Sequence, residues 1–207
     1  MAIRPIIIWP EPWLSQKSDL VLPEEFNSES LKELETDLVE TMTAAKGVGL
    51  SAPQLGVHKQ VIVVPDPTPL DGRTRALVLC NPVLSEFSAA RRGGQEGCLS
   101  LLDIILPVER AIRVKITAKR VDGSDFEAVM TELFAVAVQH ECDHLVGKTI
   151  ADGMGPLRQS MIKDKLKKVM REMVRAEERK QSTLQKLKGA KTDPSDYVIP
   201  GVSTPTK

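Results

Sequence analysis

The pentad His140-Glu141-Cys142-Asp143-His144 constrains this chain most, because only Gln139 separates it from the apolar run Leu133-Phe134-Ala135-Val136-Ala137-Val138. A helix apolar on every side is a buried one. Two imidazoles and a carboxylate are therefore carried toward an interior, where unpaired polar groups are costly. On a helix, positions i and i+4 lie about 40° apart around the axis and one turn along, so both imidazoles can hold one metal ion. The glutamate beside the first histidine can then reach a water held at the ion and move its proton. Only three histidines occur in 207 residues, and two of them are here, which weighs against a chance pair on a polar surface. Val-Ala-Val alone would also suit a strand; the motif selects the helix.

Two histidines do not complete a site, since a catalytic centre usually offers three protein ligands and keeps one position open. The candidates for the third are Cys98, Cys80, His58 or a carboxylate. Cys98 stands out for its setting, Glu96-Gly97-Cys98-Leu99-Ser100, and a thiolate suits zinc or ferrous iron. Cys80 ends a strand pattern and reads as core. Cys142 points about 200° away from His140 around the helix and reads as packing. His58, among polar residues, reads as exposed. A third string, Gly47-Val48-Gly49-Leu50-Ser51-Ala52-Pro53-Gln54, combines glycines that allow close backbone approach with an amide, Gln54, able to polarise a carbonyl.

Around these strings the chain reads as α+β. Ser30-Leu31-Lys32-Glu33 has capping-box spacing, and Leu31, Leu34, Leu38, Met42 and Ala45 follow at helical steps up to Gly47. Val61–Val64 and Ala76–Leu79 read as strands. Ala111–Ala118 alternates as a strand with one wet face, and Asp122-Gly123 turns it back into Phe126–Met130. From Leu157 a stripe through Met161, Ile162, Leu166, Val169, Met170, Met173 and Val174 marks a helix with a basic opposite face. Aromatics are only 3%, so the core is aliphatic. No apolar run approaches the roughly 20 residues of a membrane helix. Three cysteines, Cys80, Cys98 and Cys142, do not make a disulfide framework.

Charge is balanced in total but not in distribution. Residues 1–157 carry a net −7 and residues 158–191 a net +8. A basic segment on an acidic body points to a polyanionic partner, with nucleic acid the first candidate, or to a solvated helix face.

Read together and in this order, Gly47 to Gln54, Glu96 to Ser100 and Gln139 to Leu145 resemble the three signature strings of the peptide deformylase family. The similarity runs from Trp9-Pro10-Glu11-Pro12-Trp13-Leu14, which looks like the family's opening, to about Arg175. The basic helix resembles that of the Gram-negative-type bacterial members. The resemblance implies an α+β domain of mostly antiparallel sheets around a buried helix carrying the metal-binding motif, with N- and C-terminal helices. It implies a single domain over 1–182, including a basic helix over 156–188. Roughly the last 25 residues fall outside the resemblance, and their composition, rich in Pro, Ser and Thr and poor in apolar residues, reads as a disordered tail over 189–207. The resemblance also implies a hydrolase that takes the formyl group from the N-terminal methionine of new polypeptides and releases formate.

By the same resemblance, Cys98, His140 and His144 bind one divalent metal ion, Fe2+ in the cell, with Zn2+, Ni2+ or Co2+ able to take the site. Glu141 shuttles the proton. Gln54 and the backbone N–H of Leu99 hold the developing oxyanion. Gly49, Glu96 and Gly97 meet the substrate, and the methionine side chain lies near Val48, Val136 and Ala137. Glu96 and Arg110 pair to brace the cysteine loop. The implied partners are formyl-methionyl nascent peptides and, through basic helix 158–191, the ribosome (rRNA or ribosomal protein). A membrane or DNA partner is not expected, and the expected compartment is the bacterial cytoplasm.

The chain departs from the family pattern at Ser51, where alanine is usual. It also departs at Leu102 and Ile105, where a proline and an arginine are common. Two other readings use the same residues. A zinc endopeptidase shares His-Glu-x-x-His but takes its third ligand downstream, where only Asp152 is near. A non-catalytic, ribosome-binding metal module leaves Glu141 and Gln54 without a role.

Overall fold

A computed structural model describes residues 3–66 and 75–189. Helix α1 (Glu29–Ala44) is followed by strands β1 (Leu50–Ser51), β2 (Val61–Pro65), β3 (Ala76–Ser85), β4 (Arg91–Gly97), β5 (Ile105–Ala111), β6 (Arg113–Lys119) and β7 (Asp125–Thr131). Helices α2 (Glu132–Leu145) and α3 (Pro156–Gly189) complete the order. Strands β1-β2-β3-β6-β7 form one sheet and β4-β5 a separate ribbon, with every pairing antiparallel.

The four consecutive apolar residues of β2 are explained by burial on both faces of the sheet, since alternate residues point to opposite sides. Val61 and Val63 join Leu31, Leu34, Leu38 and Met42 of α1. Ile62 and Val64 join Val114, Ile116 and Met130, together with Ala135 and Val138 of α2. Helix α2 is thus held on the sheet face opposite α1. A third cluster joins Trp9, Leu14, Cys98, Leu101 and Leu106 to Ile162 and Leu166 at the start of α3. The chain divides into a unit ending at Leu166 and another beginning at Lys167. The tail expected over 189–207 lies, apart from Gly189, outside the described residues.

Four local expectations are corrected. The cap of α1 is Ser28, not Ser30: its Oγ accepts from Leu31 N–H at 3.3 Å. It also donates to Glu25 O at 2.6 Å, so the turn before the helix fixes the start. At the other end Lys46, not Gly47, takes the left-handed conformation (φ 55°). Gly47 N–H bonds to Met42 O and Lys46 N–H to Thr43 O, the double closure of a Schellman end. Gly47 is instead closely approached, since a Cβ there would stand 2.8 Å from Leu99 Cδ1 and that side chain would have to shift. His58 is not exposed: its ring stacks on Trp13 at 3.7 Å. Finally, α2 is not buried all round. Leu133 is 56% exposed, and Val136 is half-buried, because that side of the helix faces a cavity.

Candidate metal centre

Helix α2 sets the geometry. Gln139 fastens it to the end of β5, donating to Ala111 O at 2.9 Å and accepting from Ala111 N–H at 3.1 Å. His140 and His144, one turn apart, then face the end of β4, where the chain leaves the ribbon at Cys98. One ligating atom from each of Cys98, His140 and His144 lies within 4.8 Å of the others, and all three residues are buried. Cys98 Sγ is 3.3 Å from His144 Nε2. His140 turns Nδ1 to Glu96 Oε2 at 2.9 Å, which leaves Nε2 for an ion, as carboxylate-oriented histidine ligands do.

The donor set fits a divalent ion. One soft thiolate and two imidazoles make a three-ligand group with room for a fourth position. Two buried polar atoms beside it, His144 Nδ1 and Glu141 Oε2, have no hydrogen-bond partner. Burial alone would lower the affinity of His140 for a proton, but Cys98 and Glu96 outweigh it and raise it to about 11. Surroundings that favour a proton on that ring favour a cation at the same place. Burial, then His140 and Arg110, push His144 down to about 3, so it is neutral and able to ligate.

Behind the ligands runs a chain of charge. Arg110 donates from Nε and a terminal nitrogen to the two oxygens of Glu96 at 2.9 and 3.0 Å. A third nitrogen reaches Asp143 Oδ2 at 2.5 Å. Burial works against the charge of Glu96, but hydrogen bonds from His140 and Arg110 win and hold it at about 2. Asp143 was not singled out from the sequence. It lies three residues from His140, a helical neighbour, and that spacing was the available signal.

Gln54 is held in one orientation. Its Oε1 accepts from Ser51 N–H and Ser51 Oγ, both at 2.9 Å. Its Nε2 donates to Ser100 Oγ at 3.0 Å and approaches Cys98 Sγ at 3.6 Å. The amide donors therefore face the thiol. Glu141 is 4% exposed, and burial raises it to about 7.

A cavity of about 320 Å³ opens over this group. Gly47, Val48 and Gly49 form one part of its wall and Glu96, Gly97, Cys98 and Leu99 another, with Val136, Ala137, His140 and Glu141 from α2 and Gln54 behind. His144 lies deeper, 1% exposed. The structure thus brings together every residue singled out for the site. Both oxygens of Glu96 are occupied by Arg110 and His140, so its side chain acts on a ligand rather than outward. Leu99 opens a 3-10 turn, Leu99–Leu101, and the first N–H groups of such a turn have no partner within it. Lys46, Leu102 and Leu133 also line the cavity, and sequence reasoning did not assign them to it.

Residues 3–160 match the polypeptide deformylase family. The chain belongs to that family. Its curated relatives include the peptide deformylase of Acinetobacter baumannii, 35% identical over 84% of this chain and 96% of its own length. Peptide deformylase 1 of Ralstonia nicotianae is 38% identical over 84% of this chain and 100% of its own. Among solved structures, a peptide deformylase from Legionella pneumophila superposes with a TM-score of 0.75 at 34% identity, over 84% of this chain and 99% of that one. A Met-Ala-Ser-bound deformylase from Acinetobacter baumannii gives 0.68 at 35% identity, over 74% and 99%. This deformylase homologue is accordingly a hydrolase with a metal-binding Cys-His-His group, and the third member of that group is upstream Cys98, not the downstream ligand an endopeptidase would use. Among the described residues no helix is long and apolar enough to cross a membrane.

Proposed function

We propose that this chain removes the formyl group from N-terminal formyl-methionine of new polypeptides, consuming one water and releasing formate and a free amine. The observation that carries the reading is the convergence of three ligating atoms within 4.8 Å on a cavity that also receives Glu141 and Gln54. Cys98, His140 and His144 would hold a divalent ion, ferrous iron in the cell, which would supply Lewis acidity when bound. Glu141 takes a proton from the attacking water and delivers it to the departing amine. A buried carboxyl raised to about 7 is matched to both halves of that transfer near neutral pH. The Gln54 amide and Leu99 N–H stabilise the oxyanion. Val48, Val136 and Ala137 accept the methionine side chain, and Gly49 and Gly97 present backbone to the peptide. The Met-Ala-Ser held by the Acinetobacter baumannii structure is a ligand of the expected kind.

Formate release from formyl-Met-Ala-Ser by protein purified anaerobically with iron tests the reading. Stoichiometric metal without formate would overturn it. Gly49 gives a second test, because a Cβ there would press on Glu141 from Oε1 to Cγ. Gly49→Ala is expected to keep its metal and melting temperature while kcat falls about 10²-fold. An unchanged kcat would show that the Glu141 side chain yields to the added methyl and keeps its working position.

The proposed partner of α3 is the ribosome, favoured by the net +8 of residues 158–191. Ile162 and Leu166 belong to the core, so the dispensable part of the helix begins after Leu166. Reversing Lys168, Arg171 and Arg175 to glutamate is expected to weaken ribosome cosedimentation at least about ten-fold and to flatten its salt dependence. Binding that ignores both the reversal and salt would exclude electrostatic docking.

A further inference from the structure

The loop that leaves Cys98 contains a residue in the wrong conformation for its side chain. After the turn Leu99–Leu101, Leu102 has φ 51° and ψ −130°. Ile104 N–H donates to Leu101 O at 3.2 Å, closing a four-residue turn with Leu102 in its second position. Those dihedrals belong to a type II′ turn, whose second position is glycine's. A residue with a Cβ is strained there by about 1–3 kcal/mol. Glycine would be the less strained residue there, so the contacts of the leucine side chain are set against that cost.

That side chain has two surroundings. One part packs on the cluster of Trp9, Leu101 and Ile104. The rest lines the cavity above the metal-ligating group. Two more apolar residues are exposed at or beside this cavity. Leu133 lines the cavity and is 56% exposed. Ile105, opposite the cavity residue Gly97 in the ribbon, is 63% exposed.

We propose that Leu102 is a specificity-determining residue, forming with Ile105 and Leu133 an apolar shelf at the cavity mouth that favours formyl-methionyl peptides whose second residue is bulky and apolar. This rests on the deformylase reading above and goes beyond it in naming the preferred substrates. Partial burial of one leucine side chain on such a shelf corresponds to roughly ten-fold in kcat/KM. Lys46 also lines the cavity and would draw an acidic residue instead, so the two directions are separable.

The test compares formate release from formyl-Met-Leu-Ser, formyl-Met-Ser-Ser and formyl-Met-Asp-Ser by wild type, Leu102→Gly and Leu102→Ala, with melting temperatures for all three proteins. Wild type is expected to prefer the leucine peptide about ten-fold. Both variants are expected to bring that preference within about two-fold, chiefly through KM. Leu102→Gly is expected to melt no lower than Leu102→Ala, because glycine relieves the strain that alanine keeps. A preference that survives in both variants makes Leu102 a packing residue and overturns the proposal. A preference for the aspartate peptide overturns it in favour of Lys46. No formate from any peptide removes the deformylase reading itself, and the proposal with it.

Discussion

Glu141→Gln should bind metal as the wild type does and lose formate release by about 10²–10⁴-fold, the range that a positioned acid–base group contributes. The change is nearly isosteric, and the carboxyl is 4% exposed. Its Oε2 has no hydrogen-bond partner, so no structural bond to that oxygen is lost. What disappears is the capacity to take a proton. The loss should fall on kcat, with KM for formyl-Met-Ala-Ser little changed, since the peptide is held by other groups. Metal content by atomic absorption, beside the rate, separates this outcome from a collapsed site. A metal-loaded Glu141→Gln protein within about ten-fold of wild type would mean that another group moves the proton.

Arg110→Ala should be the most damaging substitution away from the ligands themselves. The guanidinium is buried and binds Glu96 through two bonds and Asp143 through a third. Its removal leaves the Glu96 carboxylate buried and short of its main partner, which typically costs about 3–5 kcal/mol, or a melting temperature lower by roughly 10 °C or more in a domain of this size. Arg110→Lys should not rescue, because a single ammonium cannot make the paired contact. A melting temperature within about 2 °C of wild type would show the network to be energetically idle.

The same network predicts how the fold responds to acid. Glu96 is held at about 2 against an ordinary 4.5. A depressed carboxyl contributes stability that is complete above its unfolded value and is lost as pH falls toward its folded one. The contribution is on the order of 3 kcal/mol, and it should fade between about pH 4.5 and pH 2. Arg110→Ala should lack that part of the acid transition, which urea melts across this range would show.

The parts of the molecule legible in the sequence share a physical basis in local periodicity or fixed spacing. The pattern of Leu31, Leu34, Leu38 and Met42 located α1, the alternation after Ala111 located β6, and Asp122-Gly123 located the turn into β7. His140 and His144 were legible because a helix turns identical spacings into one face. What escaped depends on contacts distant in the chain. Ser28 displaces Ser30 as the cap because the turn at Pro23–Glu25 delivers it there. His58 is covered by Trp13, 45 residues away. The exposed side of α2 at Leu133 reads as buried by pattern, and only the cavity beside it explains why an apolar residue is left there. The resemblance to a family supplied Cys98 where the residues alone left several candidates open.

His140 and His144 come from α2, but Cys98 directly follows β4, whose ribbon is a sheet separate from the five-stranded one among the described residues. The thiol and the second imidazole stand 46 residues apart in sequence. An ion gripped by both therefore works as a cross-link, closing a long loop whose free ends would otherwise cost chain entropy to bring together. Thermal stability should consequently follow the free concentration of the ion, rising by about 2.7 kcal/mol at a hundred times its dissociation constant. The same three side chains that ready the chain for chemistry would fasten its two sheets to each other, so a cell short of the ion would hold a looser protein as well as an idle one.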